Sequence, residues 1–162
     1  IINARQYERV LGYIEKGKAQ GATLAYGGVK PDDPALENGF FVYPAVFTGV
    51  TQDMAIASEE IFGPVLSVLR WRDEAAMYRD VNAVDYGLTC SIWTNDLHRA
   101  HRAAGSVEAG YVWVNRVGTH FLGAPFGGYK QSGIGKENCL QELLSFTREK
   151  NVHIEFDEET IA

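Results

Sequence analysis

Cysteine is scarce in this chain. Its 162 residues hold two, Cys90 and Cys139. They lie far apart and form no CxxC pair, so neither a disulfide framework nor a cysteine metal site is expected, and a reducing, cytoplasmic setting is the default. Basic residues are also in deficit. There are 15 Lys and Arg against 21 Asp and Glu, for a formal net charge of -6. A nucleic-acid binder carries a basic face, so this balance argues against that class. No apolar run reaches the roughly 18 residues a membrane-spanning helix needs, so none is expected. Histidines number four. His98 and His101 are three apart on an expected helix with no third ligand near them, which argues against a metal site. The chain opens Ile1-Ile2-Asn3, without Met, basic leader or signal-peptide core, and the expectation is a piece of a longer protein.

What is present is ordinary globular composition, 46% hydrophobic and 22% charged, at the size of one domain. Tyr7, Val10, Leu11 and Ile14 recur at helical spacing, so residues 3–20 read as an amphipathic helix closed by Gly21. Residues 27–39 are a turn-rich connector holding Pro31 and Pro34. Residues 40–43 and 45–47 read as extended chain around Pro44. Residues 65–71 are a near-continuous apolar run, the pattern of a strand buried on both faces. Asp73 can cap a helix over 74–82. Residues 89–94 and 111–115 read as further strands, with a helix between them capped by Asn95 or Asp96. A helix is expected from 136 or 137 to 146, then a short alternating strand over 151–156 that contains His153. Strands separated by helices predict an α/β fold with a mostly parallel sheet and flanking helices.

Three places could carry chemistry. The first is the run Pro125-Phe126-Gly127-Gly128-Tyr129-Lys130-Gln131-Ser132-Gly133-Ile134-Gly135-Lys136-Glu137. A P-loop would need Ser or Thr after Gly135-Lys136 and a glycine where Lys130 stands, and GxGxxG fails at Asn138. Glycines that let backbone pack closely are the better reading. The second is Ser58-Glu59-Glu60-Ile61-Phe62-Gly63-Pro64. A carboxylate there could accept two hydroxyls of a sugar diol; taken alone, the pair reads as solvated acidic residues. The third is the cysteines. Cys90 lies in an apolar strand and Cys139 near a helix start, and both read as packing thiols. His120, in the loop before the glycine run, is the histidine placed to line a pocket.

Taken in order, these motifs resemble the NAD(P)-dependent aldehyde dehydrogenase family. Glu59-Glu60-Ile61-Phe62-Gly63-Pro64 is similar to that family's Glu-Glu-Ile-Phe-Gly-Pro block, and Asn82 with Tyr86-Gly87-Leu88 to its Asn-x-x-x-Tyr-Gly-Leu segment. Pro125 to Glu137 is similar to its Pro-Phe-Gly-Gly-x-Lys-x-Ser-Gly-x-Gly-Arg-Glu signature, with Lys136 in place of arginine. Gln6-Tyr7 and Leu11-Gly12-Tyr13-Ile14 match as well.

The resemblance implies the C-terminal part of the catalytic domain over residues 1–149 and an oligomerisation strand and tail over 150–162. It implies a homo-oligomer paired through residues 151–156. It also implies that the parent enzyme oxidises an aldehyde to an acid with NAD or NADP. In the family, a cysteine thiolate forms a thiohemiacetal, hydride leaves to the nicotinamide, and water releases the acid from a thioester. Neither cysteine here sits in the family's Gly-Gln-x-Cys context, so the nucleophile and the general base are expected upstream. By the same resemblance Glu60, Phe62 and Gln6 bind cofactor, while His120, Phe121 and Phe126, with Leu122 beside them, line the aldehyde path. The alternative is that the isolated chain is a non-catalytic, folded, self-associating module.

Overall fold

The computed structural model describes residues 1–156. The chain forms two compact units: Ile1–Asp85 with Gly105–Val107, and Tyr86–Ala104 with residues 108–156.

The first unit starts where Asn3, in extended conformation, accepts a hydrogen bond from Gln6 N at 2.9 Å and so caps helix α1 (Ala4–Ala19). Val10, Ile14 and Gly17, at i, i+4 and i+7, form its buried stripe. Strands β1 (Thr23–Tyr26), β2 (Ala45–Thr48) and β3 (Val65–Ser67) make one sheet in the order β1-β2-β3, antiparallel then parallel. Helix α2 (Ala55–Ser58) lies between β2 and β3 in the chain, and α3 (Glu74–Asn82) follows, capped by Asp73, which accepts from Ala76 N at 2.6 Å. The core joins Val10 and Ile14 of α1 to Phe47 of β2, with Met54, Ile56 and Ile61.

In the second unit, β4 (Tyr86–Gly87) pairs antiparallel with β7 (Tyr129–Lys130). Strand β5 (Thr89–Ile92) pairs parallel with β6 (Tyr111–Val114). Asp96 accepts from Arg99 N at 3.0 Å at the start of helix α4 (Leu97–Ser106), and α5 (Leu140–Ser145) ends the regular structure.

The α/β class holds, and both β2–β3 and β5–β6 are parallel. Four local expectations change. The strand expected over 65–71 is β3, three residues long, and Leu66 is 58% exposed, so it is not buried on both faces. Residues 40–43 form no named strand; Tyr43 instead exchanges backbone bonds with the turn at Gly28 and Val29. The last helix does not begin at 136. Phe126 and Glu137 exchange both backbone hydrogen bonds, at 2.9 and 2.7 Å, and Asn138 has φ 60°, so the helix waits until Leu140. Finally, residues 151–156 are exposed and in no strand, because no segment of this chain pairs with them among the described residues. The rest of the expected tail, 157–162, lies outside the described residues.

The glycine run is a loop closed at its base by the Phe126–Glu137 bridge. A Cβ on Gly110 would stand 1.8 Å from Gly127 O, and one on Gly127 would stand 2.3 Å from Gly135 O. Backbone lies on backbone here, which only glycine permits. No phosphate cradle is formed: Lys136 donates to Gly128 O at 3.2 Å and lies 5.4 Å from the Tyr129 ring centroid.

Phe47 is fully buried at the centre of the first unit. Phe47→Ala is expected to destabilise by about 3–5 kcal/mol through lost burial and the cavity left behind, measured by urea unfolding.

Candidate functional site

The segment after α2 carries the carboxylate pair. Ile61 is its only buried residue, at 8% exposure in the core, while Glu59, Glu60 and Phe62 face solvent. Among the described residues no strand pairs with residues 59–62, so their backbone carbonyls take partners from outside the sheet. Helix α1 supplies them. Gln6 Nε2 donates to Ile61 O and to Phe62 O, both at 2.9 Å. Arg9 donates to Glu60 O. Tyr13 Oη donates to Glu59 Oε2 at 2.8 Å, and Lys16 Nζ donates to Glu59 Oε1 at 3.1 Å. Positions 6, 9, 13 and 16 share one helix face beside the buried stripe. Four consecutive residues are thus clasped by four side chains of one helix.

The clasp fixes an uncommon backbone. Phe62 has φ 58° and is 77% exposed. A bulky residue in the left-handed region costs free energy and persists only where its surroundings over-determine it. The two bonds from Gln6 do so here. The Glu60 side chain, by contrast, has no hydrogen bond or ion pair among the described residues; only its carbonyl is engaged. Two free carboxylate oxygens beside an exposed aromatic ring can accept a vicinal diol and pack against a flat ring.

The electrostatics favour the charged clasp. Its hydrogen bond to Tyr13, and secondly that to Lys16, hold the Glu59 carboxyl below its ordinary value. The same bond to Glu59 holds the Tyr13 phenol above its own. Arg9 and Lys16 lie 5.5 and 5.6 Å from the Tyr13 ring centroid, within cation–π range.

In the second unit, His120 and Phe126 come together with ring centroids 4.5 Å apart, edge to face. Tyr111 stacks on His120 at 5.6 Å and Trp113 meets it at 5.8 Å. Trp113 Nε1 donates to Thr119 O at 2.7 Å, which fixes the loop carrying His120. Phe121 and Leu122 are exposed and take no part in these ring contacts. Tyr111 and Trp113 of β6 are the ring surface on which His120 rests. Burial pushes the Cys90 thiol up, and Cys139 is the N-cap of α5, in extended backbone.

Sequence reasoning missed the clasp. The resemblance implies a cofactor contact for Gln6; within this chain both bonds made by its amide nitrogen go to carbonyls of the carboxylate loop. The available signal was the row of long donors at 6, 9, 13 and 16 along α1.

Residues 1–152 match the aldehyde dehydrogenase family. The chain is 52% identical over 157 residues to the aldehyde dehydrogenase tropH of Talaromyces stipitatus, covering 95% of this chain and 30% of that protein. It is 46% identical over 155 residues to a betaine aldehyde dehydrogenase of Brucella anthropi, covering 96% of this chain and 32% of that one. Among solved structures it is similar to a Mycobacterium tuberculosis aldehyde dehydrogenase complexed with NAD+, at TM-score 0.87 and 41% identity, over 93% of this chain and 30% of the other. It is likewise similar to a Staphylococcus aureus betaine aldehyde dehydrogenase in complex with NAD+, at TM-score 0.86 and 37% identity, over 90% and 29%. The chain belongs to the aldehyde dehydrogenase family. It spans about a third of the length of the curated relatives it matches.

The clasp has a pH window. Glu59 has a lowered value in the folded chain, so its contribution is fully present above the ordinary carboxylate value of about 4.3. It is lost as pH falls through the lower folded value. Tyr13 has a raised value, so its contribution is present below about 10 and is lost as pH rises through the higher folded value. Tyr13→Phe should move the Glu59 titration upward, read by side-chain carboxyl NMR.

Proposed function

We propose that this chain is the C-terminal third of an NAD(P)-dependent aldehyde dehydrogenase whose parent protein oxidises an aldehyde to a carboxylic acid. The observation that carries the reading is Glu60, an exposed carboxylate with both oxygens uncommitted, on a loop clasped from both sides of it. In this reading Glu60 accepts the two hydroxyls of the nicotinamide ribose, and Phe62 packs beside the nicotinamide. Gln6 holds the loop in place. When bound, the nicotinamide supplies the hydride acceptor. The NAD+ complexes of the two solved relatives support NAD+ as the cofactor.

His120 and Phe126 form part of the wall along which the aldehyde approaches; their packing on Tyr111 and Trp113 supports a rigid aromatic surface there. Phe121 joins that wall only at its exposed edge. The nucleophile comes from the remainder of the parent protein. In support, burial pushes the Cys90 thiol up, away from the thiolate that attack requires. The order and spacing of the sequence motifs support the C-terminal position. The exposed apolar side chains Val152, Ile154 and Phe156 support pairing of residues 151–156 with a partner subunit.

In the whole enzyme, Glu60→Gln should fold normally and slow hydride transfer by about tenfold, a barrier increase of about 1.4 kcal/mol. Single-turnover NADH absorbance measures it, and an unchanged rate would remove Glu60 from the site. Deleting the chain from Asn151 onward should reduce the assembly to smaller species by light scattering.

A further inference from the structure

The clasp engages one carboxylate to which the proposed site gives no task. We propose that Glu59 is a positioning residue: bound to Tyr13 and Lys16 of α1, it fixes the direction in which Glu60 is presented to the cofactor ribose. The inference deepens the proposed function and rests on the reading of Glu60 given there.

Glu59 ends α2, where its N–H donates to Ala55 O at 2.9 Å, and its backbone is already extended, at φ -106° and ψ 148°. In extended chain, successive side chains point to opposite sides. A Glu59 side chain drawn onto α1 therefore turns the Glu60 side chain away from α1, into solvent, where it is found. Downstream, the Arg9 and Gln6 bonds to the carbonyls of residues 60–62 and the buried Ile61 side chain fix the chain. Upstream, the Glu59 carboxylate is the side-chain anchor. Oε2 accepts from the Tyr13 phenol at 2.8 Å and Oε1 from the Lys16 ammonium group at 3.1 Å, with a longer contact from Lys16 to Oε2 at 3.5 Å. That division fixes rotation about the side chain as well as its reach. Releasing it leaves the upstream flank held only by the backbone bond to Ala55 O and the buried residues of α2, with no side-chain anchor at the residue next to Glu60. A carboxylate that must meet a diol at hydrogen-bond distance tolerates little displacement.

The test uses the whole enzyme carrying this chain, with variants Tyr13→Phe, Glu59→Ala, Glu59→Gln and Glu60→Gln. NAD+ affinity is read by calorimetry, hydride transfer by single-turnover absorbance, aldehyde KM by steady state and folding by thermal denaturation. Tyr13→Phe and Glu59→Ala should each weaken NAD+ binding and slow hydride transfer by about three- to tenfold, the scale of one hydrogen bond. Aldehyde KM should stay put, and melting temperature should fall only by the small contribution of an exposed pair. Glu59→Gln keeps an oxygen for the Tyr13 hydroxyl and should recover most of the loss. If Glu59→Ala does not fold, Tyr13→Phe decides the matter. Unchanged NAD+ affinity and hydride transfer in Tyr13→Phe, with Glu60→Gln impaired, would overturn the positioning role and leave the Glu60 reading intact. A parallel fall in melting temperature and in aldehyde binding would reduce Glu59 to a general structural part. An unimpaired Glu60→Gln would overturn the cofactor reading itself, and this inference with it.

Discussion

Three consecutive carbonyls, at residues 60 to 62, have no ladder to join and are satisfied by two side chains of α1. The arrangement of the first unit around the carboxylate loop depends on that satisfaction. Burying Ile61 draws the loop against the core and brings its carbonyls up to the donors of α1. Gln6 and Arg9 meet them because the Asn3 cap fixes where α1 begins and hence which residues face the loop. The strained backbone at Phe62 and the free carboxylate at Glu60 are consequences of the same arrangement: at residues 60 and 62 the carbonyl is held by α1 and the side chain is left in solvent.

The second unit solves a different problem with different means. Gly110, Gly127 and Gly135 bring main chain onto main chain, at distances a methyl group would forbid. Ser132 adds a side-chain link by accepting from Gly87 N at 3.0 Å. Nearby in the sequence, the four rings of Tyr111, Trp113, His120 and Phe126 make edge and stacked contacts that need no charge. Rigidity comes from close backbone packing and from ring geometry, each weak per contact and strong in sum.

Much of this was readable beforehand, where the signal is local. Helix α3 begins and ends as its cap and composition predict, because Asp73 and the following residues settle the matter among themselves. The α5 start is not local in this way: the Phe126–Glu137 bridge, made by chain 11 residues away, holds Glu137 extended and delays the helix to Leu140. The exposed Leu66 shows the limit of hydropathy: an apolar run records what a strand can bury, not what covers it in this chain. For the site, Glu60 alone looked like a solvated acid, and only the ordered family motifs raised it. The clasp was half visible, since the donors on α1 are regularly spaced, but their acceptors lie more than 40 residues downstream. No periodicity within one helix can report such a partner.

That separation has a kinetic side. The bonds of the clasp join residues 43 to 56 positions apart, and between them lie β1, β2 and α2. Closing so long a loop is entropically unfavourable until intervening structure shortens it. The sheet and the Phe47 core, once formed, bring Tyr13 and Glu59 together at lower entropic cost. The Tyr13–Glu59 bond accordingly reports that α1 and the chain leaving α2 have met.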